Sequence, residues 1–162
     1  MTYPIGKREQ HFMEIAVALS EKGMKNGDGG PFGCIVVKGD EIVGEGWNQV
    51  LLHNDPTAHA EVVAIRDACN RLHTFQLDDC EIYTSCEPCP MCLGAIYWAR
   101  PARVFYANTK EDAANILFDD SDIYEQLNLP HAEKRIPLIA LPDGHAIEVF
   151  KMWAGKGDRT LY

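Results

Sequence analysis

Three cysteines stand three residues apart in the segment TSCEPCPMCLG, residues 84–94. Thiolates are favoured zinc ligands, so Cys86, Cys89 and Cys92 are all candidates for a metal site. Pro88 disfavours helical geometry at the residue before it, which predicts that a strand ends there and a helix begins at once. Cys89 and Cys92 then lie on one face of the first helical turn, where the helix dipole stabilises thiolate. On geometry alone this downstream pair is favoured over Cys86.

The sequence HAE, residues 59–61, supplies the other groups that a catalytic metal site requires. His59 offers an imidazole nitrogen near a predicted helix start, and Glu61 follows two residues later. One neutral histidine and two thiolates form a net-neutral Zn²⁺ site that keeps its fourth position for water. Zinc brings the pKa of such a water down to about 7, and Glu61 would then move protons between it and a leaving nitrogen.

The spacing alone leaves a structural zinc site open as an alternative. In that alternative Cys86 completes a closed Cys3His set, which would stabilise the fold without catalysing a reaction. Judged by spacing, the two interpretations weigh about equally. The complete pattern, His-x-Glu followed later by Pro-Cys-x-x-Cys, is the signature of zinc-dependent nucleobase deaminases, in which the glutamate is an acid/base and not a ligand. The pattern therefore favours the open, catalytic site.

The elements that must position these residues alternate between helix and strand along the chain. An apolar helical stripe is predicted in HFMEIAVALSEKG, with Gly23 as its stop, and the Asp55-Pro56 pair is a start signal for a later helix. The Gly39-Asp40 turn predicts a hairpin, so the sheet cannot be wholly parallel. This alternation predicts an α/β layer structure with a mixed sheet. The other predicted elements are the strand EIYTS, the helix CLGAIYWAR ended by Pro101, the strand RVFYA, and a C-terminal part of mixed helical and extended pieces.

Composition and charge narrow the class of protein. With 162 residues, of which 46% are hydrophobic, the chain suits one globular domain. It has no apolar run long enough for a membrane span, and its N-terminus lacks the apolar stretch of a signal peptide, so the expected location is the cytoplasm. The formal net charge is −9, from 24 acidic and 15 basic residues. Because nucleic-acid binding gains affinity from Lys and Arg, this balance disfavours a large nucleic-acid footprint.

These motifs resemble those of the cytidine-deaminase-like superfamily, and more closely those of its small bacterial guanine deaminases. The segments that carry the resemblance run almost from end to end: GGPFG, GWN, NDPTAHAEV, QLDDCEIYTSCEPCPMCLGAIYWARP, FDDS and the terminal tyrosine. Residues 127–159 match only loosely. The resemblance implies that His59, Cys89 and Cys92 bind one Zn²⁺ per protomer, with a bound water or hydroxide, and that Glu61 shuttles protons.

The resemblance also implies an architecture and a substrate pocket. The fold would be a three-layer α/β/α cytidine-deaminase-like domain over residues 1–162, with a five-stranded mixed sheet, and the protein would be a homodimer that exchanges its C-terminal segment. The substrate would be a small purine, most closely guanine, deaminated hydrolytically to xanthine and ammonia. The positions that match substrate-contacting residues are Asn48, Asp120 and Tyr162, with Phe32 and Trp98 as candidates to line the pocket or stack on a flat ring.

Other interpretations are open at this point. Asn48 could serve a turn, Asp120 could cap a helix, and Trp98 could be core of the helix that carries the cysteines. A tRNA-editing adenosine deaminase shares the zinc motifs, although the acidic balance counts against it. A non-catalytic zinc module would leave Glu61 without a purpose. Another amino-heterocycle, such as cytosine, a nucleoside or an aminotriazine, would suit the same machinery.

Overall fold

The computed structural model describes residues 5–161, so Tyr162 lies outside the described residues. The chain divides into two compact units, Met1–Asp120 and Ser121–Tyr162. The prediction of a single domain over the whole chain therefore stays a prediction. No helix within residues 5–161 is long and apolar enough to cross a bilayer.

The first unit is built on a mixed sheet of four strands in the order β2-β1-β3-β4. β1 (Gly33–Lys38) pairs antiparallel with β2 (Glu41–Trp47) and, on its other side, with β3 (Cys80–Cys86). β4 (Arg103–Asn108) runs parallel to β3. The first two strands form the hairpin expected from the sequence, with Gly39 in the left-handed conformation (φ 61°) at the turn.

Helices cover both faces of this sheet. Alternate residues of β1 show the two faces: Ile35 packs with Phe12 on one side, whereas Val36 belongs to a second core with Ala64 and Ile96. The predicted three-layer α/β/α arrangement is therefore confirmed. The first face is covered by α1 (Lys7–Asn26), and the second face is covered by α3 (Ala60–Leu72) and α4 (Pro90–Ala99). Two short helices, α2 (Val50–His53) and α5 (Lys110–Asn115), lie in the connections.

The end of α1 differs from the sequence prediction. The helix continues past Gly23 to Asn26 and ends at Gly27, whose φ of 76° lies in the left-handed region typical of helix C-caps. Gly23 serves packing instead, because a Cβ there would lie 2.4 Å from Cδ1 of Trp47. The prediction located the right segment and chose the wrong glycine.

The expectation of a five-stranded sheet is wrong for the described residues, which form four strands. The stretch IPLIAL, residues 136–141, belongs to the second unit and has no regular secondary structure. Pro137 and Pro142 carry no N–H donor for a strand ladder. Ile139 and Leu141 are exposed, so the stretch also lacks a buried face that would fix a register.

The second unit has helices without a core of its own. It contains α6 (Ser121–Asn128), a 3₁₀ turn at His131–Glu133, and α7 (Gly144–Gly155). Asp143 caps α7 by accepting a hydrogen bond from the N–H of His145. None of the residues described in this unit, 121–161, is buried.

Candidate active site

Two of the three candidate ligands, His59 and Cys89, occupy equivalent positions at the starts of two helices. His59 caps the N-terminus of α3, and Cys89 caps that of α4. The predicted helix start at Asp55-Pro56 is wrong, because the Asp55 carboxylate accepts hydrogen bonds from the N–H and hydroxyl of Thr57 and forms a turn there. This turn delays the helix, so that His59 has extended backbone geometry and its side chain is not part of the helical surface.

The three candidate ligand atoms form a compact group. Nδ1 of His59 lies 3.5 Å from Sγ of Cys89 and 3.5 Å from Sγ of Cys92, and all three atoms lie within 4.8 Å of one another. In a tetrahedral zinc site with Zn–S and Zn–N bonds of about 2.3 and 2.0 Å, nitrogen and sulfur are separated by about 3.5 Å. The donor set and its spacing therefore fit zinc with one coordination position left over.

The electrostatics of the group favour thiolate at Cys89. Hydrogen bonding with Cys92 and then with His59 lowers the pKa of Cys89 to about 4. Hydrogen bonding to Cys89 and burial raise the pKa of Cys92 well above its usual range, and contact with Cys89 raises the pKa of His59. The metal-free group therefore holds protons that a metal ion must displace, which makes its metal affinity depend on pH.

Cys86 lies apart from this group. It is the last residue of β3, is buried, and its thiol donates a hydrogen bond to the carbonyl of Thr109 at 3.5 Å. Burial raises its pKa to about 11, which keeps it a neutral thiol. Within residues 5–161 the closed Cys3His arrangement is therefore not assembled.

Glu61 is a buried carboxyl next to the candidate ligands. It lies in the first turn of α3, is 6% exposed, and one of its oxygens, Oε1, accepts a hydrogen bond from the hydroxyl of Thr84 at 2.9 Å. Burial raises the pKa of Glu61. A carboxyl whose environment moves its pKa toward neutrality is suited to both accepting and releasing a proton.

Asn48 is held rigidly at the end of β2. Its backbone N–H donates to the carbonyl of Phe32 at 2.9 Å, and its side-chain Oδ1 accepts from the N–H of Val50 at 3.2 Å. A Cβ at residue 29 would lie 2.0 Å from Oδ1 of Asn48, so Gly29 is required for this close approach. The turn interpretation and the binding interpretation are compatible, because the turn fixes the direction of the amide.

The donor group and its buried glutamate occur in a segment with known relatives. Residues 6–108 match the family described as the cytidine and deoxycytidylate deaminase zinc-binding region. The chain belongs to this family. Its zinc dependence follows from that membership together with the His-Cys-Cys group of the structure.

The individual relatives of this chain match different shares of its length. The chain is 51% identical over 151 residues to a guanine deaminase of Bacillus subtilis, and the match covers 93% of this chain and 97% of that protein. An X-ray structure of guanine deaminase from B. subtilis superposes with a TM-score of 0.92 at 49% identity, covering 98% of this chain and 99% of that one. A tRNA-specific adenosine deaminase of Aquifex aeolicus is 38% identical over 61% of this chain and 65% of its own.

In this deaminase-family chain Phe32 forms an aromatic pair with Phe118, which the sequence pattern did not indicate as a candidate. Phe32 contacts Phe118 edge to face, with ring centroids 5.0 Å apart. A Cβ at Gly30 would lie 2.7 Å from Phe118 and 2.9 Å from Phe32, so the glycine admits both rings. Phe118 is the first residue of the FDDS segment, and a single phenylalanine before two aspartates carries no local signal of a ring contact.

Three further candidate residues, Asp120, Trp98 and Tyr162, have fewer described contacts. Burial, followed by the negative charge of Cys89, raises the pKa of Asp120, and its place in a substrate pocket stays a prediction. Trp98 is 64% exposed near the end of α4, so the interpretation that it is a core residue is wrong. Tyr162 lies outside the described residues, and its place in a pocket stays a prediction.

Proposed function

We propose that this chain catalyses the hydrolytic deamination of guanine, in which guanine and water give xanthine and ammonia. The observation that carries the proposal is the His59, Cys89 and Cys92 group with the buried Glu61 beside it, in a chain 51% identical to a guanine deaminase along nearly its full length. A cytoplasmic role in guanine breakdown is the expected setting.

The metal ligands in this proposal are His59, Cys89 and Cys92. A zinc ion held by them would supply Lewis-acid activation of a water molecule for attack on the amino-bearing ring carbon. Glu61 would accept a proton from the attacking water and pass protons to the ring nitrogen and the departing amine. Its burial supports this role, because a shielded carboxyl exchanges protons with the substrate and not with bulk solvent.

The substrate would be held by polar groups and a ring contact. Asn48 and Asp120 would pair with the polar edge of guanine, and Phe32 would contact its flat face. Trp98 and Tyr162 are proposed as further pocket residues on the strength of the family resemblance. A site built to pair with such groups rejects a base that lacks them, because the protein's own polar groups would be left without partners.

The principal alternative is deamination of adenosine in tRNA. Relatives with that activity match about three fifths of this chain, and a net charge of −9 does not favour a polyanionic substrate. Ammonia release by zinc-replete protein should be measured on guanine, adenine, cytosine, their nucleosides, an aminotriazine and tRNA, with Glu61→Gln as the matched control. We expect release from guanine alone or foremost, and release confined to tRNA or to another heterocycle would overturn the proposal.

We further propose that the chain forms a homodimer in which residues 121–162 are exchanged, so that the two units complete one deaminase domain with a partner. The support is the second unit itself, which has no buried residue among those described. The apolar residues that it exposes include Ile139, Leu141, Phe150, Met152 and Trp153. A segment with this much apolar surface requires a cover, and a second copy supplies the complementary segment at equal concentration.

Mixed dimers test the exchange directly. One chain would lack Tyr162 and the other would carry Glu61→Gln, and the two would be refolded together. If the segments exchange, the mixed dimer contains one site with an intact Glu61 and a Tyr162 from the other chain, so about half of the dimers gain one active site. Without exchange every site keeps one defect, and the mixture would be as inactive as its components.

A further inference from the structure

Thr84 is a polar residue in an otherwise apolar row of β3. Alternate strand residues point to the same face of a sheet, and the neighbours of Thr84 on its face, Cys80 and Ile82, belong to the core that α3 and α4 cover. Thr84 is 1% exposed. Valine has nearly the same shape and suits such a position, so a hydroxyl here needs a specific partner.

That partner is the carboxylate of Glu61. The Thr84 hydroxyl donates to Oε1 of Glu61 at 2.9 Å, across the space between the sheet and the first turn of α3. The donor belongs to an interior strand, since Thr84 stands opposite Cys34 on β1 and Tyr106 on β4. One oxygen of Glu61 is therefore held by a group whose own position is fixed from both sides.

We propose that Thr84 is a positioning residue for catalysis: by donating to Oε1 of Glu61 it sets the rotation of the carboxylate that transfers protons. This inference rests on the proposed function, because it assigns the orientation of the proposed acid/base. It differs from a packing role, which valine would fill equally well. It also differs from a role in metal binding, because Thr84 is not in the His59, Cys89 and Cys92 group.

The test compares Thr84→Val with Thr84→Ser in zinc-replete protein. The valine variant removes the donor and keeps the shape, and we expect kcat on guanine to fall about 10- to 100-fold with KM changed less than about threefold. Zinc content per chain should match the parent protein. The serine variant should recover most of the lost kcat, since it restores the hydroxyl. A Thr84→Val protein with parental kcat would overturn the assignment.

A double-variant comparison separates positioning from general damage. In a Glu61→Gln background the acid/base is already lost, so adding Thr84→Val should reduce the residual kcat less than about twofold. An equal proportional loss in both backgrounds would overturn the assignment. Ile82→Val is the matched structural control, because it lies two residues earlier in the same buried row. It should lower the melting temperature and leave kcat unchanged.

The two proposals fail in different ways. An active Thr84→Val protein refutes the positioning role while guanine deamination stands. A zinc-loaded parent protein that releases no ammonia from guanine refutes the proposed function before any variant is compared.

Discussion

The two units of this chain differ in how far their side chains are buried. In the first unit both faces of the sheet are covered, and a side chain as large as Tyr83 is fully buried against Phe12 and Phe105. In the second unit no described residue is buried, although α7 carries apolar residues such as Phe150 and Met152. The buried core of the described residues therefore lies in the first unit, whereas the described part of the second exposes its apolar side chains.

All described candidate site residues lie in the first unit. The proposed ligands and acid/base lie at the ends of elements whose other ends are packed in the core, which gives them fixed relative positions. Arg8 of α1 pairs with Asp40 at the hairpin turn and with Glu81 of β3, which raises the pKa of Arg8 far above its ordinary value.

The largest effect is expected from removing a ligand in the first unit. Cys89→Ala should lose bound zinc and with it all measurable guanine deamination, because two ligands hold the ion much less tightly than three. Cys86→Ala is the matched control, since it removes a buried thiol three residues away that lies outside the group. It should keep zinc and activity. Metal analysis and ammonia release measure both, and a zinc-free Cys86→Ala protein would reinstate the closed site.

The next largest effect is expected from a substitution that lowers kcat and leaves the zinc content unchanged. Glu61→Gln keeps the size of the side chain and an acceptor for Thr84 but cannot take up a proton, so kcat should fall by about 10²- to 10⁴-fold. Zinc content should stay at the parental level, because Glu61 is not a member of the ligand group. Full turnover by this variant would remove Glu61 from the acid/base role.

A third effect addresses the packing that fixes α3 against the sheet. A Cβ at Gly46 would lie 2.3 Å from the carbonyl oxygen of Ala60 and 2.5 Å from the backbone nitrogen of Ala64. Gly46→Ala should therefore displace α3, lower the free energy of unfolding by about 1–3 kcal/mol and weaken zinc retention.

Gly94→Ala is the control for that substitution. Gly94 lies within α4, and nothing lies within 4 Å of a Cβ built there. Alanine at this position should raise the free energy of unfolding by about 0.5–1 kcal/mol, because it suits a helix better than glycine does. Denaturant unfolding compares the two variants, and a Gly46→Ala protein as stable as Gly94→Ala would show that the contact between β2 and α3 tolerates movement.

The sequence pattern singled out three candidate ligands that lie within 4.8 Å of one another, but it misplaced the ends of two helices. The His-x-Glu and Pro-Cys-x-x-Cys pattern could indicate these candidates because zinc chemistry restricts both residue type and spacing. Gly23 and Asp55 were misread because a packing glycine and a turn carboxylate carry the same local signals as a helix stop and a helix start.

Other features depend on neighbours that no local pattern reveals. The bond from Thr84 to Glu61 joins residues 23 positions apart, and its threonine is indistinguishable in sequence from any β-strand threonine. The five-stranded sheet was implied by the family resemblance alone, and no local pattern showed that the described residues form four strands.

The smallest effect is expected in the second unit and tests the contrast between the units most closely. Ile139→Ala and Ile82→Ala make the same chemical change, at a residue that is 85% exposed and at one that is fully buried. Ile82→Ala should lower the free energy of unfolding by about 2–5 kcal/mol, whereas Ile139→Ala should change it by less than about 0.5 kcal/mol in dilute protein.

Measuring the stability of Ile139→Ala over a range of protein concentrations then tests whether a second copy covers the second unit. A cost that grows as the protein associates means that a second copy buries Ile139, because the side chain then loses contacts that only the dimer provides. A cost that stays near zero in the associated protein would remove Ile139 from the proposed exchange interface.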